Sequence, residues 1–172
     1  AADSDIVLTG GAGSITGGSG NVTLKDSAGG VAIGVAGGAG TISIADADID
    51  EITTSGKIII GDASSGAVTI GGATQPLGSE ALQFGGSSVA LNANVTTANA
   101  GITFVPAVTA GAGVTVDSGS GAGDITFSST LDGNQAVVLD AGSGAISLNG
   151  VVGAIPLASL VTTGTTGVIS IG

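Results

Sequence analysis

One three-residue phrase returns along this chain at a nearly constant distance. Ile102-Thr103-Phe104, Ile125-Thr126-Phe127, Ile146-Ser147-Leu148 and Ile169-Ser170-Ile171 each read apolar, hydroxyl, apolar, and successive copies are almost evenly spaced. Val108, Leu131 and Val152 form a second column at the same period, and Val114, Val137 and Leu160 a third. A period near twenty residues with three short apolar beats belongs to a solenoid, where each repeat buries its side chains against its neighbours in the stack.

Each beat alternates apolar and small polar residues, as in Val22-Thr23-Leu24, Ile42-Ser43-Ile44 and Val68-Thr69-Ile70. That period of two describes a strand with one face buried. With 34 glycines among 172 residues and many β-branched side chains, helix is disfavoured and strand favoured. Clusters such as Asp117-Ser118-Gly119-Ser120-Gly121-Ala122-Gly123 separate the beats and supply turns that tolerate positive φ. The repeat changes length in these turns and keeps its beats.

The expected fold is all-β: a parallel β-helix (β-solenoid) with three faces and about 20–24 residues per coil, right-handed by the crossover rule. One solenoid domain spans 1–172, with less regular coils over 1–81 and regular coils over 82–172, where Leu82, Val89 and Val95 make an earlier turn. In the less regular part the spacing is uneven, and the step from Val22 to Ile42 is longer than that from Ile42 to Ile58. At roughly 22 residues per coil the chain makes about eight coils, a rod about 38 Å long at the ~4.8 Å strand spacing. Phe84, Phe104 and Phe127, the only phenylalanines, recur at the repeat period and are followed in the same column by Leu148 and Ile171. An aromatic ladder of this kind pins the register of a stack.

Charge narrows the partners. Thirteen acidic residues face two lysines, Lys25 and Lys57, for a net charge of −11. Nucleic acid, whose phosphates need a basic footprint, is excluded on this ground, and docking on an anionic membrane surface is disfavoured. No apolar run approaches the ~18–20 residues of a membrane span. The absence of cysteine is compatible with a secreted bacterial protein. The chain opens Ala1-Ala2-Asp3 and contains no methionine, as expected of a processed product or an excerpt of a longer fibre.

Catalytic chemistry has few carriers here. With no His or Cys, no serine has a base to activate it, and neither lysine stands in a recognisable motif. Lyases resembling the pectate-cleaving family need a basic residue, typically arginine, beside bound calcium, and this chain has no arginine. Hydrolases need two placed carboxylates, whereas the acids here lie singly in turns apart from one cluster. The expectation is a non-enzymatic protein.

That cluster is Asp46-Ala47-Asp48-Ile49-Asp50-Glu51. Its alternate acids resemble a calcium loop with oxygen ligands at every second position, so Asp46, Asp48, Asp50 and Glu51 are the candidate metal ligands, with calcium as the cation. The EF-hand pattern itself fails: Glu51 stands where glycine is required and Lys57 where the bidentate glutamate belongs. The competing reading is a solvated turn in which Asp46 ends the strand Ile42–Ala45. Asp117 and Asp140, one repeat period apart, each follow a third-column strand. Stacked carboxylates repel unless exposed, protonated or bridged by a cation, and exposure is the expectation. At the other extreme, Gly167-Val168-Ile169-Ser170-Ile171-Gly172 stops on a strand beat. Ile169, Ser170, Ile171 and Gly172 are the candidate assembly interface, where the chain either continues or docks on a copy of itself.

The phrasing Gly123-Asp124-Ile125-Thr126-Phe127-Ser128-Ser129-Thr130-Leu131-Asp132-Gly133, then Val137-Val138-Leu139-Asp140-Ala141-Gly142-Ser143-Gly144-Ala145-Ile146-Ser147-Leu148, resembles the β-strand repeats of filamentous-haemagglutinin-like adhesins and autotransporter passengers. The resemblance covers roughly 86–172. It implies a right-handed parallel β-helix exported across the outer membrane and displayed as a fibre at the bacterial cell surface, with no catalytic residues in the repeats. The function expected is a structural extracellular stalk or fibre for adhesion or for matrix and biofilm formation, its partners being itself and a host or glycan receptor. The rival is a polysaccharide-binding or polysaccharide-cleaving protein on the same fold. Recognition of a crystalline surface needs a ranked threonine array, and Thr53-Thr54, Thr96-Thr97 and Thr162-Thr163 do not keep the repeat spacing.

Overall fold

A computed structural model describes residues 5–6, 10–164 and 167–172. Its first third runs β1 (Asp5–Ile6), β2 (Ile15–Gly18), β3 (Val22–Leu24), β4 (Ile33–Val35), β5 (Ile42–Ile44), a short helix α1 (Asp46–Asp50), β6 (Ile52–Thr54), β7 (Lys57–Ile60) and β8 (Val68–Ile70). Four further coils follow: β9 (Ala81–Phe84), β10 (Val89–Leu91) and β11 (Val95–Thr96); β12 (Ile102–Phe104), β13 (Val108–Ala110) and β14 (Val114–Asp117); β15 (Ile125–Phe127), β16 (Leu131–Gly133) and β17 (Ala136–Asp140); and β18 (Ile146–Leu148), the bridge of Val152 to Leu131, β19 (Ser159–Thr163) and β20 (Ile169–Ile171).

Every strand pair is parallel, and the chain is a β-solenoid of about five stacked coils. The first face stacks β3-β7-β9-β12-β15-β18-β20, the second β1-β5-β4-β8-β10-β13-β16, and the third β11-β14-β17-β19. All three sequence columns lie in register: Ile102 on Ile125 on Ile146 on Ile169, Val108 on Leu131 on Val152, and Val114 on Val137 on Leu160. Val95 departs from its expected column. It pairs with Val116 and not Val114, a shift that keeps the same side inward.

The alternation expected of one-sided burial is met strand by strand. In β12, β15 and β18 the outer two residues are buried and the central hydroxyl is half-exposed. Phe84, Phe104 and Phe127 stack with ring centroids 5.2 and 4.7 Å apart and planes within 14° and 17°. All three are among the most deeply buried side chains, and Leu148 and Ile171 continue the column. Turns are tied to the next coil by side chains as well as backbone. Asn21, Asn94 and Asp124 each stand just before a strand, and their Oδ1 atoms accept from the backbone N–H of Lys57, Thr115 and Ala145 at 2.8–2.9 Å.

The segment before β9 is wound differently from the expectation. Val22, Ile42 and Ile58 are not one column: Val22 stacks on Ile58, while Ile42 lies beside Ile33 in the second face. After β4 the chain steps back through residues 36–41 and lays β5 down on the far side of β4 from β8. Parallel neighbours ordinarily need a crossover of about a dozen residues or more. Here the reversal is turned by Ala36 at φ 48° and Gly37 at φ 83°. The backbones it brings together leave no space for side chains: a Cβ on Gly38 falls 1.9 Å from the Thr69 carbonyl oxygen. From β5 the chain passes through α1 to β6, which pairs with β2 in a separate two-stranded sheet. The coil from Val22 to Ile58 is thus far longer than the later ones, which is why there are about five coils and not eight. Among the described residues no helix is long and apolar enough to cross a membrane.

Candidate functional site

The acidic run 46–51 is a turn of helix, not a loop of converging oxygens. Ala45 is extended, and Asp48, at the third helical position, accepts from its backbone N–H with Oδ2 at 2.7 Å, satisfying a donor at the helix start. Asp46 Oδ1 accepts from Gln75 N at 2.8 Å, tying the helix to the loop after β8. Glu51 points back toward the first residues, its Oε2 accepting from Gly10 N and Ser14 Oγ, both at 2.9 Å. Asp50 Oδ1 is buried without a hydrogen-bond partner among the described residues. Burial pushes the Asp50 carboxyl above its ordinary value, and the Asp46 charge adds to the effect. At about 100° per residue Asp46 and Asp50 fall on one side of the helix, close enough to feel each other's charge, while Asp48 turns to the other side and Glu51 away toward Ser14. Among the described residues no group of three or more acidic, His or Cys side chains is placed to hold a metal ion.

Asp117 and Asp140 do stack. They occupy paired positions at the ends of β14 and β17, and Thr163 follows them in the column. Both are half-buried, not open to solvent as expected. Each folds onto its own turn: Asp117 Oδ1 accepts from Gly119 N at 2.7 Å and Asp140 Oδ1 from Gly142 N at 3.1 Å. Asp140 Oδ2 also accepts from Thr163 Oγ1 at 3.1 Å. With Ser120 and Ser143 they line a cleft of about 400 Å³ at the corner between the third and first faces.

The terminal triplet lies where the sequence reading puts it. Ile169, Ser170 and Ile171 stack on Ile146, Ser147 and Leu148, and Gly172 N donates to Leu148 O at 2.8 Å. The same column positions that are 0% and 1% exposed at Ile146 and Leu148 are 44% and 68% exposed at Ile169 and Ile171. Among the described residues nothing pairs with the outer edges of β19 and β20. Val161 and Val168 add to the apolar surface of this coil. A rank of hydroxyls that the paired threonines did not suggest runs up the outside of the first face, Thr103, Thr126, Ser147 and Ser170 in register.

The fold defines the class, a parallel β-solenoid. No protein-family model, curated protein or solved structure matches the chain.

Proposed function

We propose that this chain is a structural, non-enzymatic segment of an extracellular stalk or fibre, serving adhesion or matrix formation at a bacterial surface. One observation carries the reading: the buried columns run in register from coil to coil along one axis, with like side chains stacked on like, the build of a repeat that extends in one direction.

Sedimentation velocity and negative-stain electron microscopy test it: an elongated particle is the expected result, and a compact, non-elongated particle would remove the stalk.

The cleft at Asp117 and Asp140 favours a second reading, action on polysaccharide, because two carboxylates at paired positions of adjacent strands line it and glycoside hydrolysis uses a carboxylate pair. Turnover in a glycan panel with added calcium, lost in Asp140→Asn, is the outcome that reading requires.

A further inference from the structure

Two acid- or amide-bearing residues in this chain are followed directly by glycine, in the steps Asp132-Gly133 and Asn149-Gly150. Such a step is where a chain can rearrange on itself, because glycine puts no side chain in the way of its own nitrogen. The fold treats the two in opposite ways. Asp132 Oδ1 accepts from Ile155 N at 3.1 Å and Gly133 N donates to Ile155 O at 3.2 Å, so carboxylate and nitrogen are both held. The Asn149 side chain is exposed, and among the described residues neither its amide nor Gly150 N has a hydrogen-bond partner.

The free nitrogen is a consequence of the winding. Leu148 stacks on Phe127 and Phe127 on Phe104, so Gly150, two residues on, shares a corner column with Ser129 and Pro106. Proline has no N–H, and Ser129 N donates to no backbone acceptor among the described residues. The corner asks for no donor. Other asparagines are held or hindered. Asn21, Asn94 and Asn99 accept through Oδ1 from Lys57 N, Thr115 N and Gly121 N at 2.9, 2.8 and 2.6 Å. Asn92 and Asn134 precede Ala93 and Gln135, whose side chains crowd the following nitrogen.

We propose that Asn149-Gly150 is a self-modifying site, at which the native chain converts asparagine, a thermolabile residue, to aspartate and isoaspartate. Gly150 N loses its proton to a solvent base and attacks Asn149 Cγ. The new N–C bond closes a cyclic imide while the Cγ–Nδ2 bond breaks, and the side-chain nitrogen takes up a proton and leaves as ammonia. Water then adds to either imide carbonyl, with no oxidation or reduction. Opening at Cγ gives aspartate. Opening at the backbone carbonyl gives isoaspartate, whose chain runs through Cβ and Cγ and is longer by a methylene.

The coil has no slack for that methylene. Gly150 lies against the coil before it, where an added Cβ falls 2.5 Å from Ser129 C. The residues that follow hold the second face: Leu131 N donates to Val151 O at 3.1 Å and Gly153 N to Leu131 O at 2.9 Å, around the bridge of Val152 to Leu131. Isoaspartate at 149 therefore loosens residues 151–153 from Leu131 and adds a negative charge, a slow one-way change in the coil. The site does not depend on the stalk reading, since a compact particle could carry it and a fibre could lack it.

Ageing of the full chain at mildly alkaline pH, native and in urea, followed by peptide mass spectrometry with electron-transfer fragmentation, tests the assignment. In the native chain the mass gain of NH2 replaced by OH should appear at Asn149 before any other asparagine, as both isomers, at a rate that rises with pH. Urea should speed isoaspartate formation at Asp132 about tenfold or more, because two hydrogen bonds no longer hold that step, and at Asn149 by less. Hydrogen exchange at Leu131 and Gly153 should quicken in the aged native chain and not in β12. Asn149→Gln should lose both changes with its circular dichroism intact, whereas Gly150→Ala would clash with Ser129 and is no control. An Asn149 that stays intact in the native chain, or that folding slows as much as Asp132, would overturn the proposal. Unchanged exchange at Leu131 and Gly153 in the isoaspartyl fraction would overturn the loosening.

Discussion

Between residues 82 and 148 each coil adds one strand to each of three faces, whereas earlier a single long coil separates Val22 from Ile58 and within it the second face receives two strands, β4 and β5. The local vocabulary is the same in both regions: Val22-Thr23-Leu24 and Ile42-Ser43-Ile44 are as good strand beats as Ile102-Thr103-Phe104. What differs is how the coils hold one another. The later coils rest on like side chains stacked over like, above all the three phenylalanines. The earlier segment has no aromatic ladder; backbone approaches backbone at Gly34, Gly38 and Gly71, as it also does at Gly123 and Gly144 in the later coils, and Glu51 and Asp46 reach across to Gly10 and Gln75 in contacts that do not repeat. A repeat is thus stabilised by a column, and an irregular coil by individual contacts that each have to be right.

The largest effect should come from breaking the column. Phe104→Ala removes the ring that stacks on both Phe84 and Phe127, and a loss of about 3–5 kcal/mol is expected in urea unfolding. Hydrogen exchange should show the damage concentrated in the strands around β12, because coils couple mainly to their neighbours. A loss below about 1 kcal/mol would mean the ladder is not what holds the register. Next in size is Gly38→Ala, whose new methyl meets the Thr69 carbonyl. About 1–3 kcal/mol should be lost, as for other overpacked sites, with exchange protection falling in β4, β5 and β8 and not in β12 or β15.

Smaller changes sharpen the contrast. Glu51→Ala should cost about 1 kcal/mol through the lost bonds to Gly10 N and Ser14 Oγ, and should loosen the β2–β6 pair as seen by exchange at Ile15 and Ile52. The pH dependence should also carry two opposed contributions from the earlier segment. The hydrogen bond from Ser65 holds the Asp26 carboxyl below its ordinary value, and the bonds from Lys25 and Ser64 hold that of Asp62 well below it. Their stabilisation is complete above the unfolded value of 3.8 and is lost as pH falls below it through the folded values. The Asp50 value is raised, so the native state takes up a proton first and gains stability as pH falls from the raised value toward 3.8. Thermal melts should rise slightly on mild acidification and then fall, and Asp50→Asn should remove only the rise. The smallest effect has the opposite sign: at Gly113, where the nearest atom to an added Cβ is 4.0 Å away, Gly113→Ala should stabilise by about 0.4–1 kcal/mol.

The regular half was legible because apolar spacing and stacking register coincide there. Ile125 and Ile146 are paired in the fold for the same reason they are recognisable in the chain, since a buried column admits only apolar side chains. Ile42 misleads because its beat is indistinguishable from that of Val22, and only the reversal at Ala36 and Gly37 assigns it to another face. The acidic run reads as alternate ligands on paper, but Ala45 and Asp48 begin a helix that turns Asp48 and Glu51 away from Asp46 and Asp50. The terminal triplet was visible as a beat, and its stacking on Ile146, Ser147 and Leu148 keeps the first column in register.

By itself the sequence determined that this chain stacks short parallel strands into a solenoid, that phenylalanine columns face inward, and that its surface is acidic. These are properties of composition and period, and they survive any error in connection. Tertiary structure alone decided which beat lies on which face before residue 81, where the acidic side chains point, and which outward residues meet across coils. Those depend on the length and dihedral angles of turns, where a short reversal and a longer crossover use the same glycine-rich vocabulary and differ only in the contacts that the folded backbone completes.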